Sequence, residues 1–301
     1  MAASPKLLAL RAKLLQAVRQ IFIEQGYLEV ETPVRLPSIA PEIHIEALAS
    51  DEWYLQTSPE LCMKRLLAAG IPKIFQLCKC FRKNERGARH LPELTLLEWY
   101  HAGIDYCSLM DECERLIRSA AERIGIGCML HWGGETISLA DQWERITLSE
   151  AFHKYAHISL SAAITADRFE EILVEQVEPN LGVQTPVFVY DYPAKLGSLA
   201  RLKKKNPALA ERFELYIGGI ELANGFSELT DEKEQRLRFE NERTAIRERG
   251  REPGPVPEKF LADLKNMPEA AGIALGFDRL VMLFSGCESI DEVVAFTPEE
   301  L

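Results

Sequence analysis

The chain contains no apolar run long enough to cross a bilayer, and Met1-Ala2-Ala3-Ser4-Pro5-Lys6 leads into an amphipathic pattern rather than a cleavable signal peptide. No membrane partner is expected, and a cytoplasmic location is. The seven cysteines, at 62, 78, 80, 107, 113, 128 and 287, include no CxxC pair and no zinc-like spacing, and their odd number argues against a disulfide framework. They are expected to be reduced and buried, with Cys78 and Cys80 packed on the same face of one strand. There is no internal repeat, and no low-complexity tract exceeds the linker Arg251-Glu252-Pro253-Gly254-Pro255-Val256-Pro257. Positive charge is in deficit: 35 Lys and Arg face 46 Asp and Glu, a formal net charge of −11, which is poorly suited to holding a large polyanion through counterion release. Lys203-Lys204-Lys205 could still form a local basic face, whereas the arginines between Arg236 and Arg251 alternate with glutamates and read as a solvated helix.

What is present is enough apolar material, 47% of 301 residues, to bury a full core, and one domain over 1–301 is expected. Ser4-Pro5 can cap a helix whose apolar positions Leu7, Leu10, Leu14, Val18, Ile21 and Phe22 recur at helical spacing until Gly26. A strand from Tyr27 to Glu31 follows and runs into Thr32-Pro33. Pro59 to Ala69 reads as a short helix. Lys73 to Phe81 and Glu93 to Tyr100 read as strands joined by a charged turn, hence an antiparallel hairpin. Helices are expected over 108–124, from the capping box Thr147-Leu148-Ser149-Glu150 to about His157, and from Thr230. Further strands fit Pro186 to Tyr190 and Arg212 to Glu221. Hairpins with helices placed around them give an α+β class, an antiparallel sheet flanked by helices, rather than an alternating βαβ order.

Near the C-terminus, Gly272-Ile273-Ala274-Leu275-Gly276-Phe277-Asp278-Arg279-Leu280 is a glycine-punctuated strand that delivers an arginine into the start of an apolar helix. Taken alone it could be a buried strand and core helix. Upstream stand Phe81-Arg82-Lys83-Asn84-Glu85 with His90-Leu91-Pro92-Glu93, and Tyr27-Leu28-Glu29-Val30-Glu31-Thr32-Pro33. In this order the three segments resemble the signature motifs of class II aminoacyl-tRNA synthetases, over nearly the whole chain. Thr57-Ser58-Pro59-Glu60-Leu61-Cys62-Met63-Lys64-Arg65-Leu66 and Glu221-Leu222-Ala223-Asn224-Gly225-Phe226-Ser227-Glu228-Leu229 resemble the lysyl-tRNA synthetase catalytic domain. Phe75-Gln76-Leu77-Cys78 and Leu97-Glu98-Trp99-Tyr100 resemble its free-standing paralogues, which ligate (R)-β-lysine to a lysine of elongation factor P.

The resemblance implies an ATP-dependent activation site. Arg82 would grip the α-phosphate and the substrate carboxylate, and Arg279 the γ-phosphate; these two are the candidate catalytic residues. Lys83, Asn84, Glu85, His90, Leu91, Leu94, Glu221, Leu222 and Gly276 would complete the ATP site, with adenine read by Asn84 or Glu85. Leu94 stands where the family carries a phenylalanine that stacks on adenine, and Leu91 where it carries asparagine. Glu214 and Glu221, on either side of Gly218-Gly219, would hold Mg2+. Glu60 and Glu228 would take the two ends of a diamino acid, supported by Ser58, Glu98, Tyr100 and Asn224. Ala223 and Ala274 stand where the synthetase pattern has glycine, and each methyl would reshape the pocket toward a β-amino acid. His101, His131, His153 and His157 have no partner pattern. In class II enzymes the first helix, strand and proline form a homodimer interface, so a homodimer is expected.

Because the first helix begins at the N-terminus, no anticodon-binding barrel is expected, and tRNA is not the expected acceptor. The expected activity is therefore adenylation of (R)-β-lysine and transfer to elongation factor P. The alternatives are a minimal lysyl-tRNA synthetase and a non-catalytic amino-acid sensor. The sensor is disfavoured because Arg82, Glu214, Glu221 and Arg279 all stand.

Overall fold

The computed structural model describes residues 3–301. Its first helix, α1, runs over Pro5–Glu24, with the Ser4 hydroxyl accepting from the Leu7 amide as the sequence predicts. α1 buries Leu14, Val18, Ile21 and Phe22 against the central sheet, where Phe22 stacks on Phe75 with centroids 4.6 Å apart. The strand expected at Tyr27–Glu31 is only Leu28–Glu29 (β1), because it sits at the sheet edge and pairs in parallel for two residues alone.

Chain order then gives α2 (Glu60–Ala68), β2 (Lys73–Phe81), β3 (Glu93–Ala102), α3 (Tyr106–Arg123), β4 (Glu144–Thr147) and β5 (Val187–Pro193). These are followed by β6 (Leu202–Lys203), β7 (Asn206–Ile217), β8 (Ile220–Ser227), α4 (Glu232–Glu248), β9 (Ala270–Gly276) and α5 (Phe277–Ser285). The nine-stranded sheet has the order β1-β2-β3-β9-β8-β7-β5-β4, with β6 on β7. All its pairings are antiparallel except β1 with β2 and β4 with β5. The strand expected over Arg212–Glu221, with Gly218-Gly219 between its two carboxylates, is a hairpin. Gly218 and Gly219, with φ of 60° and 71°, turn β7 back into β8 through conformations that side chains resist.

The capping box at Thr147 and Glu150 forms, and its helix continues as a wider turn to Ala156 before His157 closes it at a φ of 54°. Short helices over 160–180 and the hairpin Met129–Trp132/Glu135–Ser138 had no clear periodic signal. Cys78 and Cys80 share a strand face, with sulfurs 3.8 Å apart, and all seven cysteines are free thiols, of which only Cys80 and Cys113 are buried. No helix among the described residues is long and apolar enough to cross a membrane.

The junction between sheet and α5 carries a buried charge. Asp278 accepts from the Thr95 amide at 2.7 Å and pairs with Arg11 of α1 at 2.6 Å, so one carboxylate ties the first helix, β3 and the last helix together. Asp278→Ala should lower the unfolding free energy by about 2–3 kcal/mol, because it leaves the largely buried Arg11 without its countercharge and the Thr95 amide without its acceptor. Urea denaturation monitored by tryptophan fluorescence measures this. A loss under about 1 kcal/mol, the level of a surface pair, would remove the junction from the stability argument.

Candidate active site

Alternation along the central strands decides which residues can meet. Glu98 on β3, Ala274 on β9, Asn224 on β8 and Glu214 on β7 lie directly opposite one another, so they form one row across four strands on one face. Two residues along, Tyr100, Gly272, Phe226 and Arg212 form the next row. The residues on the far side of the first row, Leu97, Leu275, Ala223 and Leu215, point to the other face and into the main hydrophobic core. Ala223, expected to reshape the substrate pocket, alternates onto the core face and borders the cavity from there, whereas Ala274 lies in the row that faces the site. Glu221 lies an odd number of residues from Asn224 and would also face the core. A β-bulge opposite the Leu215–Tyr216 step re-aims it, pairing Glu221 with Tyr216 on the face that carries Glu214.

Above this face is a cavity of about 1040 Å³. It collects Ser58, Glu60, Arg82, Glu85, Glu98, Tyr100 and Asn224. His90, Leu91, Leu94, Glu214, Glu221, Leu222, Ala223, Ala274, Gly276 and Arg279 also line it. Three expected residues are not brought in. Lys83 and Asn84 turn away to Glu46, at 2.5 and 3.3 Å, with Asn84 at a φ of 64°. Of the two candidates for adenine, only Glu85 lines the cavity. Glu228 lies beneath the floor, fully buried.

The acidic end is built around a cation that the sequence reading left without a role. Lys64, 1% exposed, places its ammonium 2.5 Å from Glu228 Oε2 and also bonds Glu60, one helical turn before it on α2. Burial opposes that charge, yet the two carboxylates outweigh it and hold the Lys64 pKa above its ordinary value. Glu60 is placed by the start of α2, where its amide donates to Ser58 Oγ at 3.0 Å. The Ser58 hydroxyl donates in turn to Glu98 at 2.6 Å, and Tyr100 donates to the other Glu98 oxygen at 2.9 Å. Burial, and then Glu60, push Glu98 up to about 7 despite these bonds. Gly272 is required beneath them, since a β-carbon there would lie 2.3 Å from the Tyr100 ring and 2.5 Å from Glu228 Oε1.

The other end carries the arginines. Arg279, in the first turn of α5, donates to the Glu221 carbonyl at 2.6 Å and to His90 Nε2 at 2.7 Å, and stands 3.7 Å from the Glu221 carboxylate. Burial, then the charges of Arg279, Arg82 and Arg89, bring His90 down to about 4, so its Nε2 is free to accept. Arg82 is lightly held, by the Thr57 carbonyl at 3.4 Å and Glu85 at 3.8 Å, and its remaining donors are available. Glu214 is fixed by Arg212, Tyr192 and Tyr216 at 2.5, 2.6 and 2.7 Å. Glu221 is pushed up to about 7, by burial and then by Glu214. The two carboxylates are hard oxygen donors of the kind a divalent cation takes, although no group of three His, Cys, Asp or Glu able to hold a metal occurs among the described residues. Arg212 carried a sequence signal, two residues before Glu214; the roof residues Glu42, Ile43 and His44 carried none.

The buried acids set a pH dependence of stability. Glu98 binds a proton in the folded state up to about pH 7 but in the unfolded chain only up to about 4.5, and Glu228 is shifted upward too. The folded state thus holds more protons, and stability falls as pH rises from about 5 to 8. His90, shifted down, opposes this between about 4 and 6.5 but is a single group. Thermal unfolding should show the midpoint dropping over that range, and less steeply in Glu98→Gln. A midpoint that rises would contradict the sign.

Comparison with known proteins follows this geometry. A family model described as class II tRNA synthetases (D, K and N) matches residues 2–300. The chain is 40% identical to the elongation factor P–(R)-β-lysine ligase of Pectobacterium atrosepticum, over 96% of this chain and 94% of that protein. It is 38% identical to the protein of that name from Vibrio atlanticus, over 98% and 96%, and 37% identical to that from Proteus mirabilis, over 95% and 93%. Enzymes of this family use ATP with a divalent metal, which suits a cavity with arginines and paired carboxylates at one end and a separate acidic end. The mostly antiparallel sheet, the motifs in order and the family match agree: this chain belongs to the class II tRNA synthetases of the D, K and N group.

Proposed function

We propose that the chain is an ATP-dependent ligase that converts (R)-β-lysine to its adenylate and transfers the acyl group to a lysine side chain of elongation factor P. The observation that carries this reading is the continuity of one cavity from Arg279, Glu221 and Glu214 to Glu98, Tyr100 and Glu60. A triphosphate and a dicationic amino acid can lie end to end there, with Arg82 between them. The names of relatives matched over nearly their full length support the substrate and acceptor. A sheet drawing strands from Leu28 to Gly276 supports one catalytic domain.

In the first step a substrate carboxylate oxygen attacks the α-phosphorus and pyrophosphate leaves. Arg82 would neutralise the two anions as they meet, and Arg279 would hold the departing end. Glu214 and Glu221 would hold Mg2+, which supplies further neutralisation of phosphate charge. In the second step the acceptor amine attacks the acyl carbon of the mixed anhydride, the carbon–oxygen bond to AMP breaks, and the amine proton is lost to solvent. The protein needs no covalent nucleophile for this. Ala274, between Glu98 and Asn224 in the floor, would adjust where the substrate ammonium sits. A cytoplasmic location and a homodimer belong to the same reading. The dimer is supported by exposed Ile23, Leu28 and Val34 on the first helix, edge strand and proline segment. Sedimentation should give twice the chain mass at micromolar concentration; a persistent monomer would remove the dimer.

The activity is tested by incubating the protein with ATP, magnesium, labelled β-lysine and either elongation factor P or bulk tRNA. Label should appear on the factor, survive ribonuclease, and vanish when the acceptor lysine is replaced by arginine. Arg279→Ala should keep the fold and lose at least about 100-fold in pyrophosphate exchange, the scale of removing one preorganised charge donor. Label on tRNA alone would instead identify a minimal synthetase.

A further inference from the structure

The cavity has a roof as well as a floor, formed in part by the loop Pro41 to Ile45. That loop is fixed from several sides. The Ile43 amide donates to Glu242 of α4 at 2.8 Å, and the Ile43 carbonyl accepts from Arg251. His44 Nε2 lies 3.3 Å from Glu170, and farther along the Lys83 amide donates to the Glu46 carbonyl at 2.7 Å. The one charged side chain so positioned that makes no hydrogen bond or ion pair with any described residue is Glu42, which lines the cavity.

Every other carboxylate discussed in this site has a partner: Glu60 and Glu228 share Lys64, Glu98 has Ser58 and Tyr100, Glu214 has Arg212, and Glu221 faces Arg279. The charges that act most on Glu42 are Arg82, then Glu60 and Glu242. Glu42 thus lines the same cavity as the arginine assigned to the substrate carboxylate and the carboxylate at the head of α2. We propose that Glu42 receives the substrate ammonium nearest the substrate carboxylate and thereby sets the preference for a β- over an α-amino acid. The proposal rests on the amino-acid-activating reading of the site. An α-ammonium and a β-ammonium differ in place by one carbon, and a fixed carboxylate in the roof can favour one of them while Ala274 shapes the floor opposite. Burial pushes Glu42 up to about 7, against Arg82, as befits an acid that lacks a countercharge in the free protein.

The test uses the full chain and Glu42→Gln in ATP–pyrophosphate exchange. Glu42→Gln should raise KM for (R)-β-lysine roughly 10- to 100-fold, the worth of one charged hydrogen bond, with KM for ATP and the unfolding midpoint unchanged. KM for α-lysine should rise less, so the ratio of kcat/KM for the two isomers falls. 6-Aminohexanoate, which is β-lysine without the amino group in question, is the control. As a competitive inhibitor it should have the same inhibition constant against both proteins. An unchanged KM for β-lysine overturns the proposal for Glu42 alone, provided the parent protein exchanges. Equal weakening of β-lysine and 6-aminohexanoate overturns it as well, since Glu42 would then act elsewhere. No β-lysine-dependent exchange in the parent overturns the underlying reading and this inference with it.

Discussion

The buried ammonium of Lys64 is the constraint on which the acidic half of the site depends. Glu60, Glu98 and Glu228 converge where water is scarce, and carboxylates so placed protonate or move apart unless a cation is built in. Lys64 supplies one from within α2, bonding Glu60 on its own helix and Glu228 on the adjoining segment after β8. Helix and sheet are held together by that one ammonium. The arrangement also leaves charge unmatched around Glu98 and Glu42, both shifted upward. A cavity with that imbalance is complementary to a cationic ligand.

Alternation in the sheet supplies the second constraint. Four strands place Glu98, Ala274, Asn224 and Glu214 in one row, and one extra residue opposite Leu215–Tyr216 lets Glu221 join them. Without the bulge the two candidate metal-binding carboxylates would lie on opposite faces. The chain uses one irregularity, next to the hairpin turn at Gly218-Gly219, to gather both on the site face.

Much of this was legible in the sequence. The hairpin of β2 and β3, the α1 cap and the strand into α5 follow from periodicity and capping chemistry that act over a few residues. Arg82, Glu98 and Arg279 fall where motif resemblance put them. What escaped is of a different kind. Lys64 was quoted within a motif but earned no role, because its partner Glu228 is far along the chain and only folding joins them. The bulge that brings Glu221 to the face of Glu214 left no mark in the sequence, because it exists only in the pairing of β7 with β8. Lys83 and Asn84 were read with ATP because the motif is contiguous, yet Glu46 on another loop draws them aside. The roof residues carried no pattern, since a loop's facing is set by its anchors.

Gly272 shows how an absence can determine a dimension. Its place in the floor is taken by the Tyr100 ring and the Glu228 carboxylate, each too close to admit even one carbon. The depth of the pocket is therefore written at a position that contributes no side chain. Lengthening or shortening the accepted ligand at that end cannot be achieved by enlarging residue 272 alone, because Tyr100 and Glu228 would have to be rebuilt with it. Position 274, one step along the same face, already carries a methyl opposite Glu98, so the floor that is bare at one position is filled at the next.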